Sequence, residues 1–174
     1  KGTIPYEEIF RVPFILRLPG DERKGQIVDA LAVNVSLPGT LIDGVGLEVP
    51  ASFRGGSLLP VILDGDRGPE EIYFEHYGAY WGIHPLRAVR TRDWKYVKYY
   101  GGDNTEELYH LSQDPDELHN LIDDSDAEPM RSRLEKMVDQ WWDETGGKDA
   151  AYYESEAFKT RGGTIEEIQA RDVF

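Results

Sequence analysis

With 174 residues, 40% of them apolar and 30% charged, the chain can bury a core and has the balance of an ordinary globular protein. Its formal net charge of −14 argues against a general nucleic-acid role, because neutralising phosphates takes a basic surface. No apolar run approaches the roughly eighteen residues that cross a bilayer, and the absence of Cys leaves no disulfide and no thiolate ligand.

The chain starts on Lys1 rather than Met, which reads as a piece of a longer or processed polypeptide. Lys1-Gly2 is followed by Tyr6-Glu7-Glu8 and Arg11-Val12-Pro13, then by an apolar run from Phe14 to Leu18 that Pro19-Gly20 stops. Bounded by turn formers, that run predicts a short buried strand, with Arg17 marking an end or edge in polar surroundings. A polar loop (Asp21 to Gly25) and a second apolar stretch (Ile27 to Val35) come next. Leu37, Leu41 and Val45 recur every four residues, and Pro38 is tolerable only in a first turn, so a short helix is predicted over Leu37 to Asp43. Gly39 weakens it by about 1 kcal/mol against Ala. Arg54-Gly55-Gly56-Ser57 leads into another helical piece, with Ser57 as N-cap and Gly65 as C-cap.

Asp64 to Glu70 clusters Gly, Pro and charge, the composition of an internal boundary. Beyond it the pattern becomes β-rich. Ile72-Tyr73-Phe74, Leu86 to Thr91, Trp94 to Tyr100 and Leu108 to Leu111 are short runs separated by turn signals, which predicts an antiparallel meander. Asp114-Pro115 breaks the last strand. Ser125 to Glu128 has the composition of a capping box. Met130, Leu134, Met137, Val138, Trp141 and Trp142 then form one apolar stripe, a helix ending at Gly146-Gly147 that should close over one face of the meander. Lys148 to Phe174 is polar, with a second short helix expected at Thr164 to Ile168.

Two features could carry chemistry. Between His84 and Lys98 lie Arg87, Arg90, Arg92, Lys95 and Lys98 against a single acid, Asp93, a local reversal of sign in an acidic protein. These bases could line an anion-binding cleft, where Arg supplies bidentate contact. They could equally balance the acid-rich segment Asp103 to Glu128, which has no Lys or Arg. The histidines His76, His84, His110 and His119 show no His-Glu-x-x-His spacing. His76 follows a strand and His84 sits before Pro85 in a turn, so either could meet a substrate hydroxyl or simply be a loop residue.

Taken together, these segments resemble the arylsulfatase-type sulfatases of the alkaline-phosphatase-like superfamily. The resemblance runs through Lys1-Gly2, Tyr6-Glu7-Glu8, Arg11-Val12-Pro13 and Pro19-Gly20, and through Gly55 to Gly65. Its most specific part is Leu86 to Tyr96 followed by Glu107-Leu108-Tyr109-His110-Leu111, Asp114-Pro115-Asp116-Glu117 and Asn120-Leu121. It covers roughly residues 1 to 145. It implies an α/β fold: residues 1–67 finish a large mixed-sheet domain, 68–147 form a small antiparallel-sheet subdomain with its C-terminal helix, and 148–174 are an extension. It also implies hydrolysis of sulfate esters in the intact protein, with a formylglycine nucleophile and a Ca²⁺ site upstream of this chain, which alone would be inactive. Lys1 falls on the family's sulfate-contacting Lys, a compact cation suited to an anionic oxygen. By the same resemblance His76, His84 and Arg90 are candidates for the leaving-group pocket. The implied partners are a sulfated small molecule or saccharide and the N-terminal remainder of the same sulfatase, in the periplasm or outside the cell.

Ser36-Leu37-Pro38-Gly39-Thr40 starts like the family's Cys/Ser-x-Pro-x-Arg nucleophile motif but lacks the Arg, and its surroundings match a later helix. It is rejected as the nucleophile. Two other readings stay open: a phosphonate or phosphate ester hydrolase on the same scaffold, and a non-catalytic acidic α+β module that binds a partner protein.

Overall fold

A computed structural model of the chain describes residues 4–20, 25–76, 86–99 and 106–145. The chain divides into two compact units, Pro13–Ile72 and a second made of Lys1–Val12 with Tyr73–Phe174. Sequence reading groups the first dozen residues with the segment up to 67. In the structure residues 4–12 instead make their contacts on the sheet of the second unit.

That sheet has four strands in the order β1-β2-β3-β4: β1 (Glu71–His76), β2 (Leu86–Thr91), β3 (Trp94–Tyr99) and β4 (Glu107–His110). β2 and β3 pair antiparallel from Leu86↔Tyr99 to Arg90↔Lys95, and β3 and β4 from Trp94↔His110 to Val97↔Glu107. The Trp94 N–H donates to the Thr91 hydroxyl at 3.1 Å, which closes the tight β2–β3 turn. The predicted meander is present.

Successive side chains of a strand point to opposite faces, so this register sorts the sheet into two surfaces. On one, Val89, Tyr96 and Leu108 meet Leu134 and Val138 of helix α3 (Glu128–Glu144), with Met130 and Met137 at the margin. Tyr73 stacks on Trp141 at 5.0 Å there. This is the main core, and it uses the apolar stripe read from the sequence. The expected capping box is not made. α3 begins at Glu128 itself, preceded by Ala127 and with Pro129 in the first turn. Glu128 therefore cannot reach back from the third helical position, and its carboxylate instead accepts from Arg131 Nε at 2.8 Å and the Ser132 hydroxyl at 2.7 Å.

The opposite sheet surface presents Ala88, Val97, Arg90, Lys95 and Tyr109. It is covered by the N-terminal segment with its single-turn helix α1 (Glu7–Phe10). Phe10 stacks on Phe74 with centroids 4.8 Å apart, and Tyr6 meets Tyr109 edge-on at 6.3 Å.

In the unit Pro13–Ile72, helix α2 (Leu37–Gly44) forms where the spacing places it, after a 3₁₀ turn at Asn34–Ser36. Its apolar stripe faces outward: Leu41 and Val45 are 67% and 72% exposed, whereas Gly39 and Thr40 are buried. The cause is a close backbone approach. A Cβ on Gly39 would lie 2.2 Å from the Gly56 carbonyl oxygen, so this face needs the smallest residue. The Thr40 hydroxyl donates to the Ser36 carbonyl at 2.7 Å and accepts the Leu58 N–H at 2.9 Å. A π-helical turn, Pro60–Asp64, follows and ends at Gly65 with φ 74°, while Leu59 N–H donates to the Ser57 hydroxyl at 3.1 Å.

The strand expected at Phe14 to Leu18 is not formed, and Phe14 and Ile15 are 46% and 91% exposed. A strand exists by pairing its backbone groups with a neighbour, and among the described residues no strand lies within this unit before β1 begins at Glu71. The segment instead lines an open apolar groove of about 1190 Å³ together with residues 25–28 and 30–32 and Leu58, Val61 and Ile62. The apolar residues expected to sit inside a sheet are thus present, but without the sheet. α3 ends at Glu144, just before the Gly146-Gly147 stop read from the sequence; Gly146-Gly147, the turn signal at Gly101-Gly102 and the short helix expected at Thr164 to Ile168 lie outside the described residues.

Candidate functional site

The sheet surface under the N-terminal segment brings together three of the residues the sequence singled out, His76, Arg90 and Lys95. Lys1 and His84 lie outside the described residues. Glu7, six residues on from Lys1, is at the centre of this surface. Arg90 donates to it from Nε at 3.3 Å and from a terminal nitrogen at 3.1 Å. Lys95, the register partner of Arg90, brings its ammonium within 3.5 Å of the same carboxylate and pairs with Glu117 as well. Glu117 completes the ring by accepting the backbone N–H of Glu7 at 2.6 Å. The side chains of Lys95 and Glu117 are 1% and 0% exposed, and those of Arg90 and Glu7 are 16% and 15%.

Charges so far from water persist only when paired and hydrogen-bonded. Burial pushes the Glu7 carboxyl up, but the hydrogen bond from Arg90 and the charges of Lys95 and Arg90 outweigh it and hold the group below its usual range. At Glu117 burial prevails and raises the carboxyl, against the pull of Lys95 and the Glu7 N–H. Glu117 also has φ 55°, the left-handed region that side-chain-bearing residues rarely occupy. Next to the ring, Glu107 accepts from the Tyr99 hydroxyl at 2.9 Å. Burial raises its carboxyl, and burial together with Glu107 raises the Tyr99 and Tyr109 hydroxyls.

His76 ends β1 two residues after Phe74, so strand alternation puts it on this same surface. Its Nε2 is buried with no hydrogen-bond partner among the described residues. The other bases of the Arg-rich hairpin point the opposite way. The Arg87 guanidinium lies 3.7 Å over the Trp142 ring, and Lys98 Nζ is 3.1 Å and 3.0 Å from Glu135 and Asp139. The local excess of positive charge is therefore divided between two faces, where the protein's own acids and a ring take up Arg87, Arg90, Lys95 and Lys98. Sequence reasoning did not single out Glu7 or Glu117 as partners of these bases. The signal was there: Glu117 is the acid of Asp114-Pro115-Asp116-Glu117, and Arg90 and Lys95 fall opposite each other across a tight hairpin.

The remaining candidates stand apart from this surface. His110 is against Trp94 at 4.2 Å, and His119 is an exposed side chain 3.6 Å from Asp114. Ser36 is buried with its hydroxyl donating to the Gly55 carbonyl at 2.8 Å, consistent with its rejection as a nucleophile. Among the described residues no group of three or more His, Asp or Glu could hold a metal ion, and no helix is long and apolar enough to cross a membrane.

Residues 3–144 match the family model described as N-sulphoglucosamine sulphohydrolase, C-terminal. The chain belongs to this sulfatase family. An N-acetylglucosamine-6-O-sulfatase of Bacteroides thetaiotaomicron is 28% identical over 160 residues, covering 88% of this chain and 29% of that protein. The chain thus spans less than a third of that relative's length. Among solved structures, a 2-O GAG sulfatase superposes with a TM-score of 0.58 at 28% identity, over 69% of this chain and 26% of that one. A phosphonate monoester hydrolase from Silicibacter pomeroyi shares the fold at a TM-score of 0.56 and 20% identity, over 68% of this chain and 26% of that one. The alkaline-phosphatase-like fold and the position of this chain in its C-terminal part follow from these matches.

Proposed function

We propose that the intact protein hydrolyses a sulfate ester of a saccharide, with this chain supplying the C-terminal part of the active site. The family match over residues 3–144 carries the reading, and the 6-O and 2-O sulfatase relatives support a sulfated saccharide as the substrate class. In this proposal Lys1 contacts the sulfate oxygens as they gain charge. His76 offers its Nε2, which has no partner among the described residues, to a hydroxyl of the leaving saccharide, and His84 is proposed to border the same pocket. Arg90 contributes through Glu7 rather than by direct contact, because its guanidinium is already committed to that carboxylate.

A formylglycine nucleophile and Ca²⁺ belong to the intact protein in this reading. The chain has no Cys, and its described residues do not fit a metal, so no step of the reaction is assigned to this chain through either group.

The test is an assay of the full-length protein on saccharide sulfates beside phosphonate monoesters. Sulfate ester hydrolysis is expected, with kcat/KM falling by about 10²-fold or more in Lys1→Ala, the scale of losing one charge-stabilising donor. His76→Ala should raise KM for the saccharide sulfate while sparing a simple aryl sulfate. Preferential turnover of the phosphonate would establish the second reading, which the fold shared with the phosphonate hydrolase favours. Unchanged activity in Lys1→Ala would remove Lys1 from the site.

A further inference from the structure

We infer that the ring formed by Glu7, Arg90, Lys95 and Glu117 is a positioning device that fixes the segment carrying Lys1 on the sheet surface beside His76. The inference rests on the proposed role of Lys1. Four observations support it.

Apolar contacts seat the segment, with Pro5 fully buried, Phe10 stacked on Phe74 and Tyr6 edge-on to Tyr109. What orients Glu7 within it is polar: its side chain takes two hydrogen bonds from Arg90 and the Lys95 charge, and its own N–H is given to Glu117. Both the side chain and the backbone of one residue are thereby held, which defines position and direction together. Pairing of this kind is a poor way to gain stability, because apolar replacements of buried ion pairs are often as stable; its best-attested use is to specify register. The strained φ of 55° at Glu117 points the same way, as strain of this kind persists where the surroundings over-determine it. Finally, six residues reach at most about 20 Å, so where Glu7 is held limits where Lys1 can act. Arg90 and Lys95 are positioning residues in this scheme, and neither touches substrate.

The experiment is a double-mutant cycle in the full-length protein, with kcat/KM on a saccharide sulfate as readout. Glu7→Gln should lower kcat/KM by about 10²-fold, the scale of a misplaced group of this kind. In a Lys1→Ala background the same change should have no further effect, because a residue that acts through Lys1 has nothing left to position. Arg90→Lys keeps the charge but loses the two-pronged contact, so a smaller loss with the same non-additivity is expected; it serves if Glu7→Gln does not fold. Hydrogen exchange should rise at residues 4–12 in Glu7→Gln and stay unchanged in β2 and β3. Additive losses, or unchanged exchange at 4–12, would overturn the inference while leaving the proposed function intact. Absence of sulfate hydrolysis, or an unaffected Lys1→Ala, would overturn the proposed function and the inference with it.

Discussion

Replacing Lys95 with Met tests how much the buried ring matters to the fold. Met keeps the length and apolar stem of Lys but deletes an ammonium whose side chain is 1% exposed. At 3.5 Å from Glu7, and with an effective dielectric of about 20, the lost attraction to that carboxylate is about 5 kcal/mol gross. Desolvation of the ammonium offsets part of this in the wild type. Against that gain, Glu117 is left as a buried carboxylate with only the Glu7 N–H, and removing one partner of a buried pair destabilises by about 3–5 kcal/mol. Lys95→Met should therefore lower unfolding free energy by that amount in urea titrations followed by tryptophan fluorescence. Adding Glu117→Gln neutralises the stranded carboxyl and leaves the Glu7–Arg90 pair in place, so the double variant should be more stable than Lys95→Met alone. A loss below about 1 kcal/mol for Lys95→Met, or strictly additive losses, would show that the ring is a solvated surface cluster and refute the reasoning.

In Gly39→Ala the new Cβ would sit 2.2 Å from the Gly56 carbonyl oxygen, and forcing backbone apart at an overpacked contact costs about 1–3 kcal/mol. Ala at a helical Gly would otherwise stabilise by about 1 kcal/mol, so a lowered melting temperature supports the close contact and a raised one refutes it. At alkaline pH, burial and the neighbouring Glu107 raise Tyr99 and Tyr109 above their ordinary value of 10, so the fold favours their neutral forms. That contribution is complete below pH 10 and is lost as pH rises through the folded values. Ionisation of these two tyrosines, followed by ultraviolet absorbance in variants lacking either one, should coincide with unfolding; titration near pH 10 in the native protein would contradict their burial.

The positions of β2, β3, α2 and α3 were legible in the residues, because hydrophobic periodicity and turn chemistry are local, and the family was legible through the resemblance of its motifs. The same locality limits the reading. Leu37, Leu41 and Val45 announce a helix face, but whether it is buried depends on Gly39 meeting Gly56, a contact seventeen positions away that periodicity does not report. Phe14 to Leu18 has the composition of a strand, yet a strand is a property of two chains side by side, and the segment stays unpaired among the described residues. The row of Arg and Lys in the hairpin reads as one positive patch along the chain. Alternation across two faces sends Arg87 and Lys98 to α3 and Arg90 and Lys95 to Glu7 and Glu117. The residue types and local elements are set by the sequence alone, since they follow from neighbours a few positions apart. Which charges meet, and so which remain free for a substrate, was decided only by tertiary structure: Glu7 pairs across 83 and 88 positions, and at such separations the partners are chosen by the register of the sheet.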